Sequence, residues 1–202
     1  MNKAVVSIIV GTTFLLAGIV VLSSSQAKKT GPQPVNRALT GQPAPDFTLP
    51  STDGRTIHLA DYRGKQNVLL YFHEGLSCEP CIRQVPELEK DLPDLQTLNV
   101  VPFSIAFDST QDLKQAMDRV GATAIPSLSY AAAQTEVDYD LTKNSMAIGR
   151  RAGHTFVLVD KTGVIQWRKD YWTGYGMTVT DGGTMFVTAD EILTNVKKVL
   201  GA

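Results

Sequence analysis

The stretch Val68-Leu69-Leu70-Tyr71-Phe72, followed shortly by Cys78-Glu79-Pro80-Cys81, decides the reading of this chain. The first part is a continuous apolar run of strand length, the pattern of a strand buried on both faces. The second holds the only two cysteines among 202 residues, placed where a strand should hand over to a helix. Two thiols at that spacing close a small disulfide ring and reopen it, as thiol–disulfide exchange requires. A C-x-x-C is also half of a zinc site, but a closed structural site takes four ligands. No second cysteine pair exists, and His58, His73 and His154 lie apart in sequence. A static structural bridge is the remaining alternative, and so short a ring constrains little unfolded-chain entropy.

Downstream of the cysteines a helix is predicted from Pro80 to about Leu92, with Ile82, Val85, Leu88 and Leu92 at helical spacing and a kink at Pro86. Residues 100–107 read as a second buried strand, Asp108-Ser109-Thr110 as a helix start and 111–120 as the helix. His154-Thr155-Phe156-Val157-Leu158-Val159-Asp160 reads as a third strand, Lys161-Thr162-Gly163 as a turn and 164–168 as the antiparallel partner. Thr188-Ala189-Asp190-Glu191 resembles a helix cap, ahead of a last helix that buries Ile192, Val196, Val199 and Leu200. Upstream, 47–49 and 56–59 flank Asp53-Gly54 as a hairpin. The order of elements predicts an α/β domain with one mixed sheet between helices.

With 19 Lys and Arg against 20 Asp and Glu, the chain is close to neutral, and no basic block points to nucleic acid. Residues 4–22 carry no charge. At ~1.5 Å per residue they span a ~30 Å hydrocarbon core, so 1–27 is expected to be a membrane anchor. A cleaved signal peptide is the alternative, because Ser25-Gln26-Ala27 has the small–x–small pattern of a cleavage site. Residues 28–42, with Gly31, Pro32 and Pro34, read as a tether, and 43–202 as a single domain. Lys28, Lys29 and Arg37 after the segment weigh against export by the positive-inside count. An N-terminal segment of this kind is nonetheless the common export signal, so a single-pass anchor with the domain outside the cytoplasmic membrane is expected.

At this point the chain resembles the thioredoxin-like superfamily, on the branch of the peroxiredoxin-like (AhpC/TSA, redoxin) proteins and the membrane-anchored thiol–disulfide reductases. Four features carry the resemblance: Ala44-Pro45-Asp46-Phe47-Thr48-Leu49 with Asp53-Gly54; the cysteine pair after a buried strand; Pro86 five residues beyond Cys81; and residues 154–160 with Gly163. The resemblance implies a thioredoxin-like fold, a redox-active disulfide without another cofactor, protein thiols as substrates and an upstream electron donor. Two departures stand out. No proline occupies Ala152-Gly153-His154, where thioredoxins place a cis-proline. The P-x-x-x-T/S-x-x-C loop of peroxiredoxins is also missing, since Tyr71 stands seven before Cys78 and Glu74 seven before Cys81.

The expected site follows from these positions. Cys78 at the helix tip is expected to be partly exposed, its thiolate favoured by unpaired N–H groups and the macrodipole, with Cys81 shielded behind it to resolve the mixed disulfide. Glu79 opposes thiolate formation. Glu74 reads as a proton shuttle or a solvated loop carboxylate, and His73 as a loop histidine. His154 reads as a partner of the thiolate, as third ligand of a Cys78–Cys81–His154 Cu(I) site, or as a strand-start histidine satisfied by backbone. Arg150 and Arg151 either attract an anionic partner or face water. Residues 130–145 and the aromatic, glycine-rich stretch 171–183 are the places where substrate identity would be encoded. The leading function is an anchored thiol–disulfide oxidoreductase; a thiol peroxidase and a copper chaperone are the alternatives.

Overall fold

The computed structural model describes residues 39–130, 134–141, 151–171 and 186–202, all within the compact unit Pro32–Ala202. The 1–27 segment and most of the 28–42 tether lie outside the described residues. Among those described, no helix is long and apolar enough to cross a membrane. Leu39 is buried in the core, and Gly41 and Gln42 exchange backbone hydrogen bonds with Ile165. Packing therefore begins ahead of residue 43.

The hairpin forms as expected from β1 (Thr48–Pro50) and β2 (Thr56–His58), with Leu49 and Ile57 on its buried side. Gly54 takes φ +84° in the turn, a conformation that costs glycine nothing. The main sheet contains β3 (Asn67–Phe72), β4 (Val100–Ala106), β5 (Ser127–Ser129), β6 (Thr155–Val159) and β7 (Ile165–Asp170). Their spatial order is β5-β4-β3-β6-β7, with β4 parallel to β3 and β5, and β6 antiparallel to β3 and β7. The apolar run around Leu70 is thus the central strand. Its side chains alternate, as strand geometry dictates. Val68, Leu70 and Phe72 face one core layer with the hairpin, Tyr139 and Leu141. Leu69 and Tyr71 face the other with the helices.

Those helices are α1 (Glu79–Glu89), α2 (Leu92–Thr97), α3 (Thr110–Val120) and α5 (Ala189–Leu200); α4 (Gln134–Asp138) is a short turn after β5. Ser109 caps α3 by accepting the Asp112 N–H, and Thr188 caps α5 by accepting the Glu191 N–H. The expected single helix from Pro80 to Leu92 is instead two. Pro86 is tolerated inside α1, and the break falls at Lys90 and Asp91, because Pro93 lacks an N–H and starts a new helix more readily than it continues an old one. Strand β5 had no expectation: three residues behind Pro126 show no periodicity.

Candidate active site

The chain leaving β3 runs straight into the site. His73 and Glu74 lead to a tight turn at Gly75–Ser77, and Cys78 follows as the N-cap of α1. Gly75 sits at φ +70° and its N–H donates to His73 Nδ1 (3.0 Å). That acceptor role leaves the ring proton on Nε2, which donates to Ser104 Oγ (2.8 Å) on the neighbouring strand. Leu76 N–H donates to Asp108 Oδ2 (3.0 Å), and Ser77 Oγ donates to the Glu74 carbonyl. Arg151 Nη1 reaches the same carbonyl (3.0 Å) and pairs with Asp108 (3.2 Å). A Cβ on Gly75 would stand 1.6 Å from Asp108 Oδ2. Only glycine fits there.

Cys78 and Cys81 form a disulfide, with Cα atoms 5.2 Å apart. The Cys81 N–H, one of the orphan donors of the first helical turn, points at Cys78 Sγ (3.3 Å). Pro80 sits in that turn, where its missing N–H costs nothing. Glu79 is exposed and ion-paired to Arg83 (2.9 Å), so solvent and its partner screen its charge. The expected partial exposure of Cys78 is not met. Cys78 is 1% exposed and Cys81 0%.

Beneath the disulfide lies an aromatic cluster. Tyr71 stacks on Phe156 (centroids 4.5 Å) and on His73 (4.9 Å), and His154 packs against Tyr71 and Tyr171. Tyr71 Oη–H donates to the Cys81 carbonyl (3.2 Å) and lies 3.1 Å from His154 Nδ1. A phenol has one proton, so with it on the carbonyl, His154 must donate from Nδ1, leaving Nε2 a bare acceptor. Nε2 is buried and has no hydrogen-bond partner among the described residues. Burial pushes both His73 and His154 down to about 3, with His73 adding a smaller repulsion at His154, so both rings are neutral. Burial, and secondarily the charge of Glu74, raises the Tyr71 phenol well above its usual range.

Several expectations change here. Glu74 and His73 are not solvated loop residues; they are 2% and 0% exposed. His154 finds its partner at Nδ1 in Tyr71, not in backbone. Arg151 does not simply face water but brackets the loop, while Arg150 lies outside the described residues. Tyr130, Glu136 and Tyr139 turn inward: Tyr130 Oη donates to Glu136 Oε1 (2.8 Å) and accepts the Ala152 N–H (3.0 Å). Of 171–183 only Tyr171 is described, donating to Glu191 (2.8 Å). Among the described residues no group of three or more His, Cys, Asp or Glu side chains is placed to hold a metal, and the bonded sulfurs offer Cu(I) no thiolates. Sequence reasoning placed Tyr71 in the strand and Asp108 at a helix start but missed both as residues of the site. A hydroxyl inside an otherwise apolar central strand was the available signal for Tyr71, since a buried phenol needs a partner.

The AhpC/TSA family model matches residues 40–168. The chain belongs to the AhpC/TSA family. Within and around that family, it is 43% identical over 84 residues to the thiol-disulfide oxidoreductase ResA of Geobacillus thermodenitrificans, covering 41% of this chain and 47% of that protein. It is 29% identical over 85 residues to the peroxiredoxin Bcp of Escherichia coli, covering 42% and 54%. The chain thus spans about half the length of these curated relatives. Among solved structures, the reduced 2-Cys peroxiredoxin of Plasmodium vivax has a TM-score of 0.66 at 22% identity, over 81% of this chain and 82% of that one, which shows the thioredoxin-like fold.

Proposed function

We propose that this chain is a thiol–disulfide oxidoreductase that exchanges disulfides with protein thiols through Cys78 and Cys81, held outside the cytoplasmic membrane by an uncleaved N-terminal segment. The observation that carries the reading is the Cys78–Cys81 bond at the tip of α1, with the Cys81 N–H aimed at Cys78 Sγ. Negative charge arriving on that sulfur meets a helix N-terminus, which favours thiolate over thiol.

In one direction a partner thiolate attacks Cys78 Sγ, the intramolecular S–S bond breaks, and Cys81 leaves as a thiolate. The partner's second thiolate then attacks its own sulfur in the mixed disulfide and releases Cys78. Two electrons and two protons have moved from the partner dithiol to the cysteine pair. The reverse sequence oxidises the pair. The buried Glu74 is the group proposed to shuttle the protons, and His154 the group proposed to stand against the Cys78 thiolate. The anchor reading rests on the uncharged run 4–22.

The test is Cys81→Ser in the full chain. It should accumulate a mixed disulfide through Cys78 with a model protein disulfide, whose second sulfur leaves as a thiolate, and Cys78→Ser/Cys81→Ser should accumulate none. Failure to trap any adduct, together with no exchange with small disulfides, would remove the proposal. Family membership favours one second reading, a thiol peroxidase, in which the Cys78 thiolate attacks a peroxide oxygen to give a sulfenic acid and water or an alcohol. Rapid sulfenic acid formation at Cys78 with hydrogen peroxide would support it.

A further inference from the structure

The bond proposed to exchange is shut away: Cys78 and Cys81 are 1% and 0% exposed. Attack on a disulfide needs the incoming sulfur to approach along the S–S axis, so the site must open before it reacts. The segment entering Cys78 is the turn Gly75–Ser77, whose C-terminal residue precedes the cysteine directly. Inside the turn, Cys78 N–H donates to the Gly75 carbonyl and Ser77 Oγ to the Glu74 carbonyl. Its ties to the end of β4 and to the loop before β6 are the Leu76 N–H on Asp108 Oδ2 and the Arg151 guanidinium on the Glu74 carbonyl. Asp108 and Arg151 are paired to each other, and Arg151 Cζ lies 5.6 Å from the centre of the Phe107 ring. The Leu76 side chain is 40% exposed, so the turn is held by its backbone rather than by a buried side chain.

We infer that Asp108 and Arg151 are positioning residues for the redox reaction, a bracket whose release from the Gly75–Ser77 turn admits an attacking thiol to Cys78. This rests on the exchange chemistry proposed above. The bracket touches neither sulfur; it acts through the backbone of the turn. Charge-assisted hydrogen bonds are among the stronger ones available to a partly exposed loop, and one carboxylate makes both the contact to Leu76 and the contact to Arg151. Loosening it raises the open fraction, and with it the attack rate in both directions. It leaves the equilibrium between disulfide and dithiol nearly unchanged.

The experiment follows reduction of the oxidised full chain by excess dithiothreitol, quenching with an alkylating agent that is read by mass. Each turnover converts one dithiothreitol dithiol to its cyclic disulfide and the Cys78–Cys81 bond to two thiols. Asp108→Ala and Gly75→Ala are compared with the unaltered chain, each well below its melting temperature. The new Gly75 methyl would stand 1.6 Å from Asp108 Oδ2 and must drive turn and carboxylate apart. Both variants should be reduced at least about tenfold faster, with equilibrium constants with dithiothreitol within about twofold and a gain that does not grow with urea below the unfolding transition, as attack through global unfolding would. Asp108→Asn keeps an acceptor for Leu76 N–H and should fall between. Rates within about twofold of the unaltered chain, or slower ones, overturn the bracket while leaving the exchange function standing. A bond that no folded form lets dithiothreitol reduce overturns both.

Discussion

Tyr71→Phe removes one oxygen and tests the interior of the site. That oxygen donates to the Cys81 carbonyl and faces Nδ1 of His154 (3.1 Å), a ring whose other nitrogen lacks a partner among the described residues. Without it both nitrogens of a fully buried imidazole are unsatisfied. The carbonyl loses less, because the next helical turn still offers it an N–H. A buried donor left without an acceptor costs about 1–3 kcal/mol, and the lost bond to the carbonyl adds about 1 kcal/mol. The expected total is therefore ~2–4 kcal/mol, since the ring and its stacking on Phe156 and His73 are kept. His154→Phe, by contrast, leaves the phenol bonded to the carbonyl and removes the orphaned nitrogen with the rest of the ring. In the double variant no polar atom is stranded. Urea unfolding of the oxidised single and double variants gives the coupling. The double should be more stable than the sum of the singles would make it, by about 1 kcal/mol or more. Additivity within about 0.3–0.5 kcal/mol would refute the hydrogen-bonded pair.

Two further outcomes follow from other parts of the molecule. An unfolded histidine takes up its proton near 6.5, whereas folded His73 and His154 do so only near about 3, so between those limits the unfolded chain binds more protons. Stability should be complete above roughly pH 6.5 and fall as pH drops, each ring contributing a loss of up to ~1.4 kcal/mol per pH unit, and a flat profile of melting temperature from pH 7 to 5 would contradict neutral burial. Gln84, buried in α1, donates to the Val187 carbonyl and accepts the Val187 N–H, both at 2.7 Å. Gln84→Ala strands both backbone groups and should cost about 2–4 kcal/mol in urea unfolding; a change below about 0.5 kcal/mol would show that the clamp does not stabilise the fold.

The parts of the fold that could be read ahead are those in which local pattern and global position agree. The run around Leu70 is apolar on both faces because it is the central strand, and Ser109 and Thr188 cap where their hydroxyls stand one turn ahead of the first free amides. What stayed hidden depends on long-range partners. Asp108 looks like the opening of a helix, yet its carboxylate serves an amide in another loop, on Leu76. Arg151 looks solvated until the fold carries it beside Asp108. Glu74 and His73 read as loop residues because nothing local reveals that the loop is tucked against β4. The cysteines themselves were legible as a pair, but not their burial, which depends on packing by parts of the chain distant in sequence.

The central claim is that the bond between Cys78 and Cys81 opens and closes in the folded protein. Equilibrating the full chain across a series of dithiothreitol redox ratios, with alkylation and mass reading the thiols, tests it most directly. Two thiols should appear together over one transition, while circular dichroism shows the fold unchanged at every ratio. Thiols that appear only as the fold melts would make the bond a structural one and contradict the account.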